Sequence, residues 1–361
     1  MRFVIAAGGT GGHLFPGLAV GEVLLARGHE VMVLISEKEI DALATQGRSE
    51  FRIEKVAGVG LQSKSPLALW RFWKGLRAAK KTCARLYDEW KPSAVLGMGG
   101  FTCFAPIVIG RQRGLPTFVH ESNAIPGRAN KLNARYVTRV LLGFGACRRY
   151  FPKAQCEVTG TPIRSALTRP VEKSAARAAF GLSPEKSTVL VMGGSQGASG
   201  INKAVAAALP KLTGPELQAI HFTGKGGEET AREAYAKAGV PAYVAAFHHR
   251  MEEAYGAADM AIARSGAASL TELSHFGLPS VLIPYPFAAD DHQTANAQIF
   301  DRAEAGVMLK ESEATGDLLA QKISSFLDNP ELLAAMSQKS RQLAPSQAAE
   351  RVADTILTFC T

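Results

Sequence analysis

The sequence predicts an α/β protein of two Rossmann-like domains, each a doubly wound parallel sheet, facing each other across a cleft. Three observations carry this. Short apolar runs at residues 3–7, 30–35, 94–97, 117–120 and 139–143 alternate with helix-like stretches, the pattern of a sheet covered on both faces. The pattern restarts at Ser187, with runs at 188–192, 219–222, 243–246, 260–263 and 280–284, so the second half repeats the plan of the first. At 361 residues the chain also exceeds what one core supports.

In chain order, the opening run empties into Gly8, Gly9, Thr10, Gly11, Gly12 and His13, and helical spacing of Leu18, Val20, Val23 and Leu24 begins near Pro16. Four glycines leave backbone amides open to a ligand, and the helix behind presents its positive end, so a diphosphate is the expected guest. A second glycine loop, 97–101, and a third, 193–197, also follow apolar runs. None has the GxxxxGK[ST] spacing of a triphosphate loop or a dinucleotide fingerprint, which favours diphosphate binding without hydride chemistry. From Gly160 to Lys186 the text is polar and reads as a linker, dividing an N-terminal domain, 1–163, from a C-terminal domain, 164–345. After Pro345, residues Ala349, Val352, Ile356 and Phe359 share helical spacing, so 346–360 is expected to be a closing helix that crosses back onto the first domain.

Charge separates the halves further. Residues 1–163 hold 23 Lys+Arg against 11 Asp+Glu, a net +12, and the remainder holds 18 against 21, a net −3. Only the first half is built to face something anionic. From Lys55 to Tyr87 there are basic residues and no acidic one, and a helix over 66–85 would place Leu69, Phe72, Trp73, Leu76 and Ala79 on one face and Arg71, Lys74, Lys81 and Arg85 on the other. No apolar run is long enough to span a bilayer, and the N-terminus has no leader pattern, so a cytosolic protein or one lying on a membrane surface is expected. Five scattered cysteines without CxxC spacing read as thiols of a reducing compartment. No RNA-binding module is recognisable, so nucleic acid is not an expected partner.

Several polar groups cluster at predicted strand exits. His13 could accept a proton from an incoming hydroxyl or bond to phosphate or backbone, and the residues alone leave both open. His120 and Glu121 lack a third ligand at a matching spacing, so no metal site is expected. Glu272, in a strand-to-helix segment, could accept both hydroxyls of a ribose or serve as a solvated or capping carboxylate. Asp290, His292, Gln293 and Asn296 suit the hydroxyls of a sugar, or the capping of a helix.

Taken together, GGTGGHLFPG at 8–17, GMGGFTCFAP at 97–106, HESNAIPGRAN at 120–130, GTPIR at 160–164, GGSQGA at 193–198, RSGAASLTE at 264–272 and DDHQTANA at 290–297 resemble, in order and spacing, the signatures of the MurG family of bacterial transferases. The resemblance covers the whole chain. It implies a glycosyltransferase B fold, a uridine diphosphate N-acetylglucosamine donor (UDP-GlcNAc) held mainly by the second domain, and the lipid-linked acceptor lipid I approaching the first. By position it puts Thr10, Gly11 and Gly12 against the diphosphate and Asn123 near the transferred sugar. Arg164 and Ser195 would be further donor contacts, with Ala267 and Ala268 in the nucleotide site. Glu272 would hold the ribose, and His292 and Gln293 would read sugar hydroxyls. His248 would adjoin the base. The family commonly has glutamine where His292 stands and an aliphatic residue beside the base, so side-chain contacts at 248 and 292 differ from that pattern.

The implied reaction is an inverting transfer to the C4 hydroxyl of the muramyl sugar, with His13 as general base and Glu121 as second choice. No cofactor and no metal-ligating residues are expected, whether a divalent cation assists stays open, and the reaction belongs to peptidoglycan synthesis, hence to cell shape and division, on the cytoplasmic face of the inner membrane. Two other readings share the glycine loops: a transferase acting on a diacylglycerol lipid, and a UDP-GlcNAc epimerase.

Overall fold

The computed structural model describes residues 1–9, 11–37, 45, 47–58, 65–194, 197–212, 216–343 and 347–360. The chain divides into two compact units, one made of Met1–Ser165 with Pro345–Thr361 and the other of Ala166–Ala344.

In unit 1, strands β1 (Arg2–Ala6), β2 (Glu30–Ile35), β3 (Arg52–Lys55), β4 (Ala94–Gly97), β5 (Thr117–Glu121), β6 (Arg139–Leu142) and β7 (Cys156–Val158) form one sheet in the order β3-β2-β1-β4-β5-β6-β7. All pairings are parallel, with Phe3 opposite Val31 on one side and Ala94 on the other. Both faces of β1 are covered. Phe3 and Ile5 enter a core shared with Leu14, Leu18 and Leu24 of helix α1 (Gly11–Ala26), whereas Val4 and Ala6 enter a second core with Leu76, Ala79 and Cys83 of α2 (Pro66–Trp90). This two-sided burial is why the run is apolar without alternation. Strand order reverses between β1 and β4, so the loops after these two strands flank the switch point, where open α/β sheets bind ligands. Helices α3 (Phe104–Gln112) and α4 (Arg128–Asn133) complete the unit's described helices before residue 165.

One expectation changes here. Helix α1 begins at Gly11, ahead of Pro16, although a proline inside a helix forfeits the bond to the Gly12 carbonyl and crowds it, and Gly17 lets α1 lie against β1. A Cβ on Gly17 would meet Ala7 Cβ at 2.7 Å and Met98 Cγ at 3.0 Å. In α2, Ser65 caps the N-terminus by accepting from the Ala68 amide at 3.3 Å, and Pro66 opens the first turn. Its apolar residues do not form one buried face. Leu76, Ala79, Cys83, Leu86 and Tyr87 are buried, whereas Leu67, Trp70 and Trp73 are more than half exposed and Leu69 is exposed too.

Unit 2 begins within the expected linker. After a short 3-10 turn, Ser165–Thr168, helix α5 (Lys173–Ala179) is capped by Glu172, which accepts from the amides of Ser174 and Ala175 at 3.0 and 2.7 Å. Leu167, Ala176, Phe180 and Leu182 are buried, and buried Arg177 pairs with Asp259 at 2.6 Å. The segment therefore belongs to the body of unit 2. Its buried apolar residues are too dispersed to form a run. Strands β8 (Ser187–Met192), β9 (Leu217–Phe222), β10 (Ala242–Ala245), β11 (Met260–Ala263), β12 (Ser280–Leu282) and β13 (Gly306–Met308) form a parallel sheet ordered β10-β9-β8-β11-β12-β13, with its switch between β8 and β11. Its helices include α6 (Ser199–Ala208), α7 (Glu228–Ala238), α8 (Met251–Ala257), α9 (Ala267–Phe276), α10 (His292–Arg302), α11 (Gly316–Leu327) and α12 (Pro330–Leu343). The strands absent from the sequence reading, β3, β7 and β13, all lie at or beside sheet edges, where short or charged segments suffice.

The last helix, α13 (Ala348–Thr358), packs on unit 1. Val352, Ala353 and Ile356 are essentially fully buried in the α1 core, and Thr355 donates to Glu157 at 2.8 Å. Ile356→Ala removes three carbons from this close-packed site and is expected to destabilise unit 1 by about 2–5 kcal/mol. Denaturant unfolding followed by tryptophan fluorescence checks this, because all three tryptophans belong to unit 1.

Candidate active site

The first glycine loop is shaped by packing as much as by access. A Cβ on Gly8 would collide with the backbone between Ile35 and Ser36, so the β1 exit lies directly on the β2 exit. Gly9 has φ +112°, a conformation glycine adopts without steric penalty. Gly11 and Gly12 open α1, and His13 stands in its first turn. Thr10, expected on the diphosphate, lies outside the described residues.

The second loop is the bed of His13. Gly99 has φ +116°, and a Cβ there would stand 2.8 Å from His13 Nε2. Only a glycine admits the imidazole at that distance. Cys103 holds the loop in place: its Sγ lies 3.0 Å from the Ala6 carbonyl and 2.8 Å from that of Gly99, and it accepts from the Gly99 amide. Burial pushes this thiol up to about 12, so it remains protonated. This loop therefore also seats a side chain.

At the β5 exit, His120 is fully buried. Its Nε2 donates to the Gly160 carbonyl at 2.9 Å, and Nδ1 faces the Ser122 hydroxyl at 3.3 Å. Burial brings its pKa down to about 4, opposed by the Gly160 bond and assisted by nearby His13, which keeps it neutral. Glu121 is 4% exposed. Oε1 accepts from the Asn123 amide at 2.9 Å and Asn123 Nδ2 at 3.1 Å, and Oε2 accepts from the Gly127 amide at 3.1 Å and Asn130 Nδ2 at 2.9 Å. Burial raises its pKa against these four donors. With both oxygens engaged twice, Glu121, the second choice for the base, builds the 121–130 loop. Arg164 lies 4.7 Å over the Phe15 ring, and its buried Nε has no hydrogen-bond partner among the described residues.

In unit 2 the third glycine loop is likewise a packing device. Cβ atoms on Gly193 and Gly197 would collide with Ala198 and with the Thr223 carbonyl, respectively. Ser195 lies outside the described residues. At the start of α6, the Glu311 carboxylate stands against Gly200 and pairs with Arg264, whose guanidinium is buried and donates to the Ile283 and Pro284 carbonyls at 3.1 and 3.0 Å. That helix end already carries an anion. The start of α9 differs: Gly266 gives no side-chain cap, and no acidic residue lies in the first turn. The amides of Ala267 and Ala268 thus offer a seat for an anionic ligand.

Further along α9, Glu272 is half-buried and accepts from the Tyr255 hydroxyl at 2.6 Å. The loop before α9 is tied to α10: the Ser265 hydroxyl donates to the Gln293 carbonyl at 2.8 Å, and Asn296 Nδ2 donates to the Ser265 carbonyl at 3.1 Å. Asn296 is fully buried, so its role is to hold this loop. Gln293 Oε1 accepts from the Tyr285 amide at 3.0 Å, which orients its NH2 end. His292 Nδ1 donates to the Ala289 carbonyl at 2.8 Å. The preceding Asp290 and Asp291 both have positive φ, strain typical of a ligand loop. His248 turns inward, parallel to Phe222 at 5.6 Å and 5.0 Å from Phe180, so a contact from this position to a base falls to backbone.

The structure thus gathers His13 and Asn123 beside His120 and Glu121 in unit 1, and Ala267, Ala268 and Glu272 with His292 and Gln293 in unit 2. Tyr255, Arg264, Glu311 and Cys103 were not singled out from sequence. Arg264 and Cys103 stand inside quoted motifs, but nothing in sequence marks Tyr255 or Glu311.

Two parallel-sheet α/β units with glycine-rich loops at their switch points are the architecture of the glycosyltransferase B fold class. Residues 3–142 match the glycosyltransferase family 28 N-terminal domain and residues 188–354 the family 28 C-terminal domain, and the chain belongs to this family. It is similar over nearly its full length to proteins named UDP-N-acetylglucosamine--N-acetylmuramyl-(pentapeptide) pyrophosphoryl-undecaprenol N-acetylglucosamine transferase. It is 37% identical to that of Geotalea uraniireducens, covering 98% of this chain and 97% of the relative. It is also 37% identical to that of Myxococcus xanthus, covering 98% and 92%. The crystal structure of Acinetobacter baumannii MurG superposes with a TM-score of 0.79 at 29% identity, covering 99% of this chain and 100% of that one.

The seating of His13 is testable. Gly99→Ala places a Cβ against the imidazole and strains a φ of +116°. A displacement of about 1 Å is expected to reduce glycosyl transfer by roughly 10²-fold. Titration calorimetry with uridine diphosphate is expected to show affinity unchanged.

Proposed function

We propose that this chain transfers N-acetylglucosamine from UDP-GlcNAc to the C4 hydroxyl of the muramyl sugar of lipid I, with inversion, to form lipid II. The observation that carries this is the identity of 35–37% with transferases of that name across nearly the whole chain. The geometry supports the chemistry. Charge grows on the leaving diphosphate, and the uncapped amides of Ala267 and Ala268 at a helix N-terminus are suited to receive it. Glu272 receives the ribose, and His292 and Gln293 read the sugar. On the acceptor side His13, fixed on Gly99, takes the hydroxyl proton, and Asn123, oriented by Glu121, meets the transferred sugar.

Incubation with radiolabelled UDP-GlcNAc and either a lipid I analogue or diacylglycerol tests the substrate. Label is expected in the lipid I product alone. Label in diacylglycerol, or conversion of UDP-GlcNAc without an acceptor, would favour the transferase on diacylglycerol or the epimerase instead. As base, His13 is expected to contribute roughly 10²–10⁴-fold to turnover, so His13→Ala loses that much while still binding uridine diphosphate. A parallel loss of nucleotide affinity would assign His13 to the phosphate.

The acceptor's lipid tail requires a membrane-facing surface, and the first two turns of α2 supply its chemistry. Among the described residues no helix is long and apolar enough to cross a membrane. Leu67, Leu69, Trp70 and Trp73 are exposed together, and Lys74 lies 5.1 Å over the Trp70 ring. Apolar side chains flanked by cations suit the anionic cytoplasmic leaflet, where each basic residue contributes about 1 kcal/mol. The protein thus works as a peripheral protein of the inner membrane. Lys74→Glu with Lys81→Glu is expected to abolish sedimentation with anionic liposomes while sparing activity on a short-chain soluble acceptor. Equal sedimentation of wild type and variant would move the membrane surface elsewhere.

A further inference from the structure

Tyr255 stands on α8, only 2% exposed, with its ring stacked on Phe276 of α9 at 5.2 Å and 29° between planes. Its hydroxyl donates to Glu272 Oε2 at 2.6 Å and lies 3.7 Å from Met192 Sδ at the end of β8. A phenolic O–H sealed from water needs an acceptor, and a thioether is a weak one. Carboxylate and phenol are therefore held to each other, in a charge-assisted bond of the short, strong kind.

We propose that Tyr255 is a positioning residue for nucleotide recognition: its hydroxyl holds the Glu272 carboxylate in the orientation that the ribose hydroxyls meet. This rests on the reading of Glu272 as the ribose acceptor. Glu272 is half-buried on the surface of α9, and without an anchor its flexible side chain would have to be ordered each time a nucleotide binds. A carboxylate accepts up to about four hydrogen bonds, so one from Tyr255 and two from a ribose fit on the same group. The anchor also joins two parts of the nucleotide site. Helix α8 starts directly after the 247–250 segment proposed to adjoin the base, and Tyr255 links that helix to the carboxylate on α9.

Tyr255→Phe keeps the stacked ring and removes only the O–H. Titration calorimetry with uridine diphosphate and with 2′,3′-dideoxyuridine diphosphate, on wild type, Tyr255→Phe, Glu272→Ala and the double variant, separates the possibilities. A positioning role predicts that Tyr255→Phe weakens uridine diphosphate about three- to tenfold. Binding of the dideoxy nucleotide is unchanged, kcat at saturating UDP-GlcNAc stays within about twofold, and Tyr255→Phe has no further effect in the Glu272→Ala background. Equal weakening of both nucleotides, or no weakening, overturns the positioning role. If Glu272→Ala abolishes the ribose preference and Tyr255→Phe leaves it at the wild-type value, the positioning role alone fails. If Glu272→Ala keeps the ribose preference, the ribose reading fails and the inference with it.

Discussion

A parallel sheet releases every strand at the same edge, and each exit leaves backbone amides and carbonyls that no neighbouring strand satisfies. Both units face this constraint, with seven strands in one and six in the other. Near the switch points the exits are closed by backbone packed on backbone. Gly8 lies on the β2 exit and Gly197 on the Thr223 carbonyl, so a side chain at either would force the strands apart. Glycine density in these loops is thus first a consequence of crowding, and room for a ligand follows only where an amide is left over, as at the start of α9.

Polar side chains complete the closure, and this divides groups that look alike in sequence. Glu121, Asn130, Arg264 and Asn296 are buried with identified protein partners. Removing one such partner strands a buried polar atom and costs about 1–3 kcal/mol. Glu272, His292 and Gln293 are held by bonds from Tyr255 and to Ala289 and Tyr285 respectively, and remain partly accessible. The buried groups give the accessible ones their geometry.

Much of the fold was legible because two-sided burial writes itself as apolar runs: β1, β2, β4 to β6 and the strands β8 to β12 were all visible this way. The edge strands β3, β7 and β13, unlike the edge strand β10, leave no such mark: Arg-Ile-Glu-Lys in β3 is selected for ladder bonds and solubility rather than burial. Alanine-rich α5 reads as linker in sequence because its buried contacts come from dispersed small residues and one arginine. The site was legible at the level of motifs. Which motif glycines face a ligand and which face Cys103, His13 or Glu311 depends on contacts between distant segments, and so does the direction in which His248 points. Tyr255, seventeen residues from its partner on another helix, had no local signal at all.

The return of α13 to unit 1 means that unit 2 is an insertion, entered at residue 165 and left at 345. On the ribosome the first 165 residues therefore emerge without Val352 and Ile356, and the apolar side of α1 that these residues cover stays open while about 180 further residues are made. At roughly 5–20 residues per second this interval lasts on the order of ten to forty seconds. The interrupted unit, which also carries the exposed tryptophans of α2, keeps this apolar surface open longest, and the inserted unit can complete its own core first.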